Sequence, residues 1–184
     1  MQGGTGATQE CFIEHVGIPT LPAVRMAAEA LKELGMHREG VQLIVSGGIR
    51  SGADVAKAIA LGADAVSIGT AALVALGDNN PDLEEEYNKL GTTAGFYDEW
   101  QAGDDPAGIT TQDEKLAARL DPKKGGEKLA NYLKVLTLEA QTLARACGKS
   151  HIRNLEPEDL NALTLEASAM AKVPLAGTDW IPGK

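Results

Sequence analysis

Aromatic residues are scarce in this 184-residue chain, at 4% of positions. That shortage argues against a core or binding surface built on stacked rings. It suits close backbone packing, for which the 21 glycines and the many alanines are the material. Cysteine is rarer still: Cys11 and Cys147 make neither a zinc pattern nor a disulfide framework, and a reduced, cytoplasmic setting is the simplest expectation. No run approaches the 18 apolar residues of a membrane span. The opening MQGGTGATQE has neither the basic region nor the apolar core of a signal peptide. Positive charge is in the minority, 17 Lys and Arg against 26 Asp and Glu, for a net charge of −9. Such a field repels nucleic acid and anionic lipid as partners, yet leaves room for a local cationic contact to one phosphate. His15, His37 and His151 are too dispersed for a metal site.

What is present begins with alternation. A helix is predicted from Pro22 to Leu34, with proline in its first turn, Gly35 at its end and Val24, Ala27, Ala28 and Leu31 on one face. Val41–Val45 is short, apolar and β-branched, as a parallel strand buried on both faces should be. It runs into Ser46-Gly47-Gly48-Ile49-Arg50-Ser51-Gly52, then a helix from Ala53 to Leu61 closed by Gly62. A second strand, Ala65–Ile68, ends at Gly69-Thr70, and a short apolar helix follows from Ala71 to Leu76. Strand, loop, helix and strand in one short stretch make a βαβ unit, for which a right-handed crossover is expected. From Gly77 the pattern dissolves into an ordered excursion broken by Pro81, Pro106 and Pro122, with one short helix over 82–90. Two C-terminal helices are expected. One, over 127–147, carries Leu129, Leu133, Leu136, Ala140, Leu143 and Ala144 on one face and stops at Gly148. The other runs from Pro157 to Ala171, before an extended tail. Cys147, close to a helix C-terminus, reads as an inert core thiol. Glu84–Glu86 reads as a solvated helix face, and Tyr97 and Trp100 as anchors of the excursion.

Two strands end in glycine, and there the chemistry concentrates. Glycine at the C-terminal end of a strand lets backbone N–H groups reach an anion with no Cβ in the way, and the following helix points its positive end the same way. Two such ends on neighbouring barrel strands form the phosphate cup that recurs after the last two strands of TIM barrels. Gly47 and Gly48 would supply N–H groups from one loop and Gly69 and Thr70 from the next, with Arg50 as a cationic contact able to bind in bidentate fashion. Either glycine pair alone would equally serve a tight βα turn. Both together, one βα unit apart, favour phosphate.

SGGIRSGADVAKAIALGADAVSIGTAALVALG, with GGTGAT upstream, resembles the segment that closes the synthase barrel of FMN-dependent glutamate synthases. His15, Gly17 and Pro19 fit the spacing between the two elements. IMP dehydrogenases and flavin-dependent 2-hydroxyacid oxidases share the SGG…GADAVSIG pattern. The GGTGA loop and GTAALVALG favour the glutamate synthases, since Cys11 is unlike an IMP dehydrogenase nucleophile and no His-Gly-Gly-Arg element is present.

The resemblance implies the C-terminal portion of a TIM (β/α)₈ barrel, its last two strands, followed by a loop excursion and C-terminal helices. The parts are 1–76 (barrel segment with the FMN-phosphate loops), 77–125 (excursion) and 126–184 (helical extension). It implies FMN as cofactor, with reduced flavin giving hydride to an imine of 2-oxoglutarate and ammonia. Gly3, Gly4, Thr5 and Gly6 would lie near flavin and substrate, or else form a flexible N-terminal tail. Catalytic residues cannot be assigned within the chain.

The family's excursion carries three cysteines that ligate an iron–sulfur cluster. Here Asp78 follows ALG and Asp105 precedes Pro106-Ala107-Gly108-Ile109-Thr110-Thr111-Gln112 where cysteines would stand, so the cluster is expected to be absent. That departure, with the ANYLKVLTLEAQTLARACGKSHIRNLEPEDL and GTDWIPG tail, resembles the glutamate-synthase-like subunit of N-methylglutamate synthase. An incomplete barrel, inactive alone, is the expectation. Its partners would be the missing N-terminal barrel segment or glutaminase-like and other glutamate-synthase-like subunits. The alternatives are an IMP-dehydrogenase-like phosphate-binding barrel segment and a non-catalytic fragment or interaction module.

Overall fold

The computed structural model describes residues 15–38, 40–78, 80–90 and 103–183. It is a helix-rich α/β chain with a small parallel sheet, and it divides into two compact units. The first comprises residues 18–67 and 136–184, and the second is residues 68–135 with the N-terminal segment up to Gly17.

In the first unit, α1 (Thr20–Glu33) precedes β1 (Ile44–Ser46), α2 (Gly52–Ala60) and β2 (Ala65–Ser67). The strands pair in parallel, Ile44 with Ala65, Val45 with Val66 and Ser46 with Ser67. β1 is shorter than the apolar run suggested and starts later. The Leu43 N–H is taken by Asp64 Oδ2 at 2.8 Å and the Asp64 N–H by the Leu43 carbonyl at 2.8 Å, so a side-chain-closed loop replaces the ladder there. Burial on both faces is also corrected. Val45 is 6% exposed, but Ile44 is 62% exposed, and Ser46, Ala65 and Ser67 share that open face. α1 packs closely on the turn that closes α2: a Cβ added at Gly62 would lie 2.5 Å from the Ala28 Cβ, a separation only glycine permits.

Three helix endings share one geometry. After α1, α2 and α6 (Pro122–Ala146), the glycines Gly35, Gly62 and Gly148 take positive φ. In each case the two N–H groups that follow the helix bond back to its last turn, as Met36 does to the Leu31 carbonyl at 2.8 Å. Helix starts moved more. α6 begins at Pro122, before the residue 127 expected from its apolar stripe, because Asp121 Oδ1 accepts the N–H groups of Lys123 and Lys124 at 3.0 and 3.1 Å. Its inward face is Gly125, Leu129, Tyr132, Leu136, Ala140 and Ala144. Leu133 and Leu143, placed on that face from sequence, are 42% and 37% exposed, and Cys147 is exposed too, not a core thiol.

The helix expected from Pro157 to Ala171 is broken. Pro157–Asp159 forms a single 3₁₀ turn, Leu160 is extended, and the Ala162 N–H bonds to the Pro174 carbonyl at 2.8 Å. Backbone committed to the tail cannot also propagate a helix, so α7 (Leu165–Ala171) restarts at Thr164, whose side chain caps the Ala167 N–H. The tail curls rather than extends, with the Leu175 N–H bonded to the Trp180 carbonyl at 3.0 Å.

The second unit holds α3 (Thr70–Leu76), a 3₁₀ turn at Pro81–Leu83, α4 (Glu84–Leu90), α5 (Glu114–Ala117) and the first part of α6. α5 lies in sequence expected to be irregular, and Asp113 starts it by capping Lys115 and Leu116. Among the described residues, no helix is long and apolar enough to cross a membrane.

Candidate functional site

β1 and β2 run parallel and in register, so their C-terminal ends, Ser46 and Ser67, lie side by side. Gly47 and Gly48 follow β1 directly with φ of 126° and 71°. That region is accessible to glycine and strained for other residues. A Cβ at Gly48 would meet nothing within 4 Å, so the open space beside its backbone is available to a ligand. Ile49, 8% exposed, anchors the loop to the core beneath. The Arg50 side chain is 81% exposed, with its Nε 3.8 Å from Asp54 Oδ2. At that exposure the ion pair contributes little.

Gly69 and Thr70 belong to the second unit, where Gly69 is the N-cap of α3 and Thr70 its first residue. Both are exposed, no side chain caps the helix start, and a Cβ at Gly69 would meet nothing within 4 Å. Gly3, Gly4, Thr5 and Gly6 lie outside the described residues, as do Cys11, Tyr97 and Trp100.

α2 differs from the expectation that its positive end stands open. Ser51 and Asp54 form a reciprocal capping box. Asp54 Oδ2 accepts the N–H groups of Arg50 and Ser51 at 3.0 and 3.2 Å, and Glu139 Oε2 accepts that of Gly52 at 2.7 Å. Two carboxylates already occupy that helix terminus. The sequence did not flag Glu139. Its one signal is to be the sole acid in an otherwise apolar and neutral stretch, immediately before buried Ala140.

The second unit has a polar centre. Asp78, Tyr87 and Asp105 are 2%, 2% and 4% exposed. The Tyr87 hydroxyl donates to Asp78 Oδ1 at 2.7 Å and lies 3.2 Å from Asp105 Oδ1. Asp105 also accepts the backbone N–H groups of Ala107, Ile109 and Thr110 at 2.9, 2.7 and 2.8 Å. Asp78 and Asp105 stand out in the sequence as departures from a cysteine pattern, whereas nothing in the sequence marks the phenol between them. Among the described residues, no group of three or more His, Cys, Asp or Glu side chains is placed to hold a metal ion.

Comparison with known proteins matches residues 1–80 and 101–150 to the conserved region in glutamate synthase. The whole chain is 74% identical to a glutamate synthase large subunit-like protein of Rhizobium meliloti, of which it spans 41%. It is 43% identical over 154 residues to an archaeal glutamate synthase (NADPH) of Methanocaldococcus jannaschii, covering 84% of this chain and 27% of that protein. With the chloroplastic ferredoxin-dependent glutamate synthase of Oryza sativa subsp. japonica it shares 33% identity over 144 residues, 78% of this chain and 8% of that one. The chain therefore spans less than half the length of these curated relatives. No solved structure matches.

Proposed function

The chain belongs to the glutamate synthase family, and on that premise we propose that it forms the flavin-phosphate end of an FMN-dependent glutamate-synthase-type barrel. The observation that carries this is the pair of registered strand ends, each followed within two residues by a glycine, Gly48 and Gly69, with free space beside its backbone. The residues fit a phosphate: small, open and rich in N–H donors, with one exposed guanidinium at hand. Gly47, Gly48, Gly69 and Thr70 would hold it through backbone N–H groups, and Arg50 would add charge. Reduced FMN, when bound, would supply the hydride that turns the imine of 2-oxoglutarate and an amine into an amino acid. The contribution of this chain is to fix one end of the cofactor so that the reacting ring is held in register.

The open sheet face bearing Ile44, Ser46, Ala65 and Ser67 supports an incomplete barrel that is not competent alone. Exposed parallel strands need further strands beside them and apolar cover. These would come from the preceding barrel segment or from glutaminase-like and glutamate-synthase-like partner subunits. Among the described residues, an iron–sulfur cluster does not fit the polar centre of the second unit: its groups are two carboxylates and a phenol already bonded to one another and to backbone, where iron–sulfide needs thiolates. The same replacement of cysteine supports the N-methylglutamate branch, with methylamine in place of ammonia.

Amide spectra of the labelled chain, titrated with FMN, riboflavin and inorganic phosphate, test the assignment. FMN and phosphate should shift the Gly47, Gly48, Gly69 and Thr70 resonances and riboflavin should not. Shifts that are equal for FMN and riboflavin, or that fall elsewhere, reject the cup. Adding the upstream barrel segment should yield flavin absorbance and turnover, and competition between methylamine and ammonia then identifies the amine.

A further inference from the structure

The phosphate loop ends where a distant helix touches it. Gly52, first residue of α2, is buried, and a Cβ there would fall 2.4 Å from the Leu136 carbonyl oxygen, 2.6 Å from the Ala140 nitrogen and 2.6 Å from the Glu139 Cβ. The backbone of α6 thus rests directly on the start of α2, and Glu139 reaches across to accept the Gly52 N–H at 2.7 Å. Two further ties hold the C-terminal residues to the part of the unit that precedes β1: Arg38 Nη1 donates to the Arg153 carbonyl at 3.2 Å, and Lys172 pairs with Glu29 of α1.

We propose that Glu139 is a positioning residue for the phosphate loop, so that the C-terminal helical extension is an integral part of the cofactor site. The inference rests on the flavin-phosphate reading above. Two consequences follow from one contact. Fixing the Gly52 N–H fixes the downstream end of the loop 47–51, and with it the directions of the Gly47 and Gly48 N–H groups. A carboxylate at the α2 terminus also repels a second anion from that helix end, directing phosphate to the glycine amides and Arg50. The residue therefore acts chiefly by geometry, and two substitutions separate that from its charge. Glu139→Gln keeps an acceptor for Gly52 and removes the charge, whereas Glu139→Ala removes both.

The test uses the 184-residue chain with two readouts, hydrogen exchange of the Gly52 amide without ligand and the affinity for FMN, riboflavin and inorganic phosphate. Glu139→Ala is expected to raise exchange at Gly52 at least ~10-fold and weaken FMN and phosphate ~10-fold, as for loss of a charge-assisted hydrogen bond, with riboflavin unaffected. Glu139→Gln should retain near-normal exchange and bind FMN at least half as well as the parent. Glu156→Gln, which breaks an exposed ion pair with Lys149 in the same unit, controls for general loss of stability and should leave FMN affinity unchanged. Raised exchange with unchanged FMN affinity in Glu139→Ala would overturn the link between brace and loop, as would an equal loss in Glu156→Gln. If Glu139→Ala does not fold, loss of FMN affinity in Glu139→Gln as large as 10-fold, with Gly52 still protected, likewise overturns it. If the parent binds neither FMN nor phosphate, the flavin reading fails and exchange decides the brace: faster exchange confined to 47–54 upholds it, and parental exchange rejects it.

Discussion

The two compact units are built on opposite principles. The unit of residues 18–67 and 136–184 is centred on small and branched apolar side chains, among them Val24, Ala28, Val45, Val55, Ile59, Leu61, Ala140 and Ala144. The unit of residues 68–135 buries Asp78, Tyr87 and Asp105 and is organised by hydrogen bonds. An apolar core tolerates nothing extra at its tightest contacts but forgives local rearrangement elsewhere. A polar knot depends on each member having its partner. The two should therefore fail in different ways.

The largest effect is expected where the apolar unit is tightest. Gly52→Ala puts a methyl 2.4 Å from backbone of α6, and backbone cannot step aside as a side-chain tip can. A loss of about 3 kcal/mol is expected, read as a lower denaturant midpoint with exchange raised across the unit. A midpoint within experimental error of the parent would break the comparison at its strongest point. Next comes the knot. Asp105→Asn halves the acceptor capacity facing three N–H groups and a phenol and should cost about 2 kcal/mol. Exchange should rise at Ile109 and Thr110 while Val55 and Ile59 stay protected. Equal loosening in both units would show that they do not fail separately.

A finer test sets two glycines against each other. Gly48→Ala has open space but a φ of 71°, so a destabilisation of about 1 kcal/mol is expected. Gly69 has open space and a φ of −121°, so Gly69→Ala should alter stability by less than about 0.5 kcal/mol. Under the proposed function it should nonetheless weaken phosphate and FMN, which separates a ligand-facing glycine from a structural one.

The smallest effect is electrostatic. The hydrogen bond with Glu156, foremost, together with Asp159, raises the Lys149 ammonium above its ordinary 10.5 against opposing desolvation. A cation whose pKa is raised by folding stabilises at all pH values below the unfolded value and loses that contribution as pH climbs through the folded one. The midpoint difference between the parent and Lys149→Met should hold steady from neutral pH to about pH 10 and shrink beyond it.

The same contrast explains what could be read from sequence. Gly35, Gly62 and Gly148 were legible as helix stops, and the βαβ order and both glycine strand ends were legible too, because each is local. Periodicity misled at Leu133 and Leu143, since a helix can carry two apolar stripes and only contact decides which one is covered. It misled again at 157–171, where Ala162 bonds to Pro174 instead of continuing a helix. Tyr87 between Asp78 and Asp105, and Glu139 against Gly52, were illegible for one reason: a hydrogen-bonding partner distant in sequence leaves no period and no motif.

The contact between Glu139 and Gly52 joins residues 87 apart in sequence, and that between Lys172 and Glu29 joins residues 143 apart. Closing such long loops costs entropy before any contact is gained, which slows folding. On a ribosome, β1, β2 and the glycine loop emerge before the helix that braces them. The loop is thus among the last features of its unit to set, although it is synthesised before its brace. Pulse-labelled exchange during refolding should show Gly52 protected late, in step with Ala140 and Ala144 and behind the amides of α1.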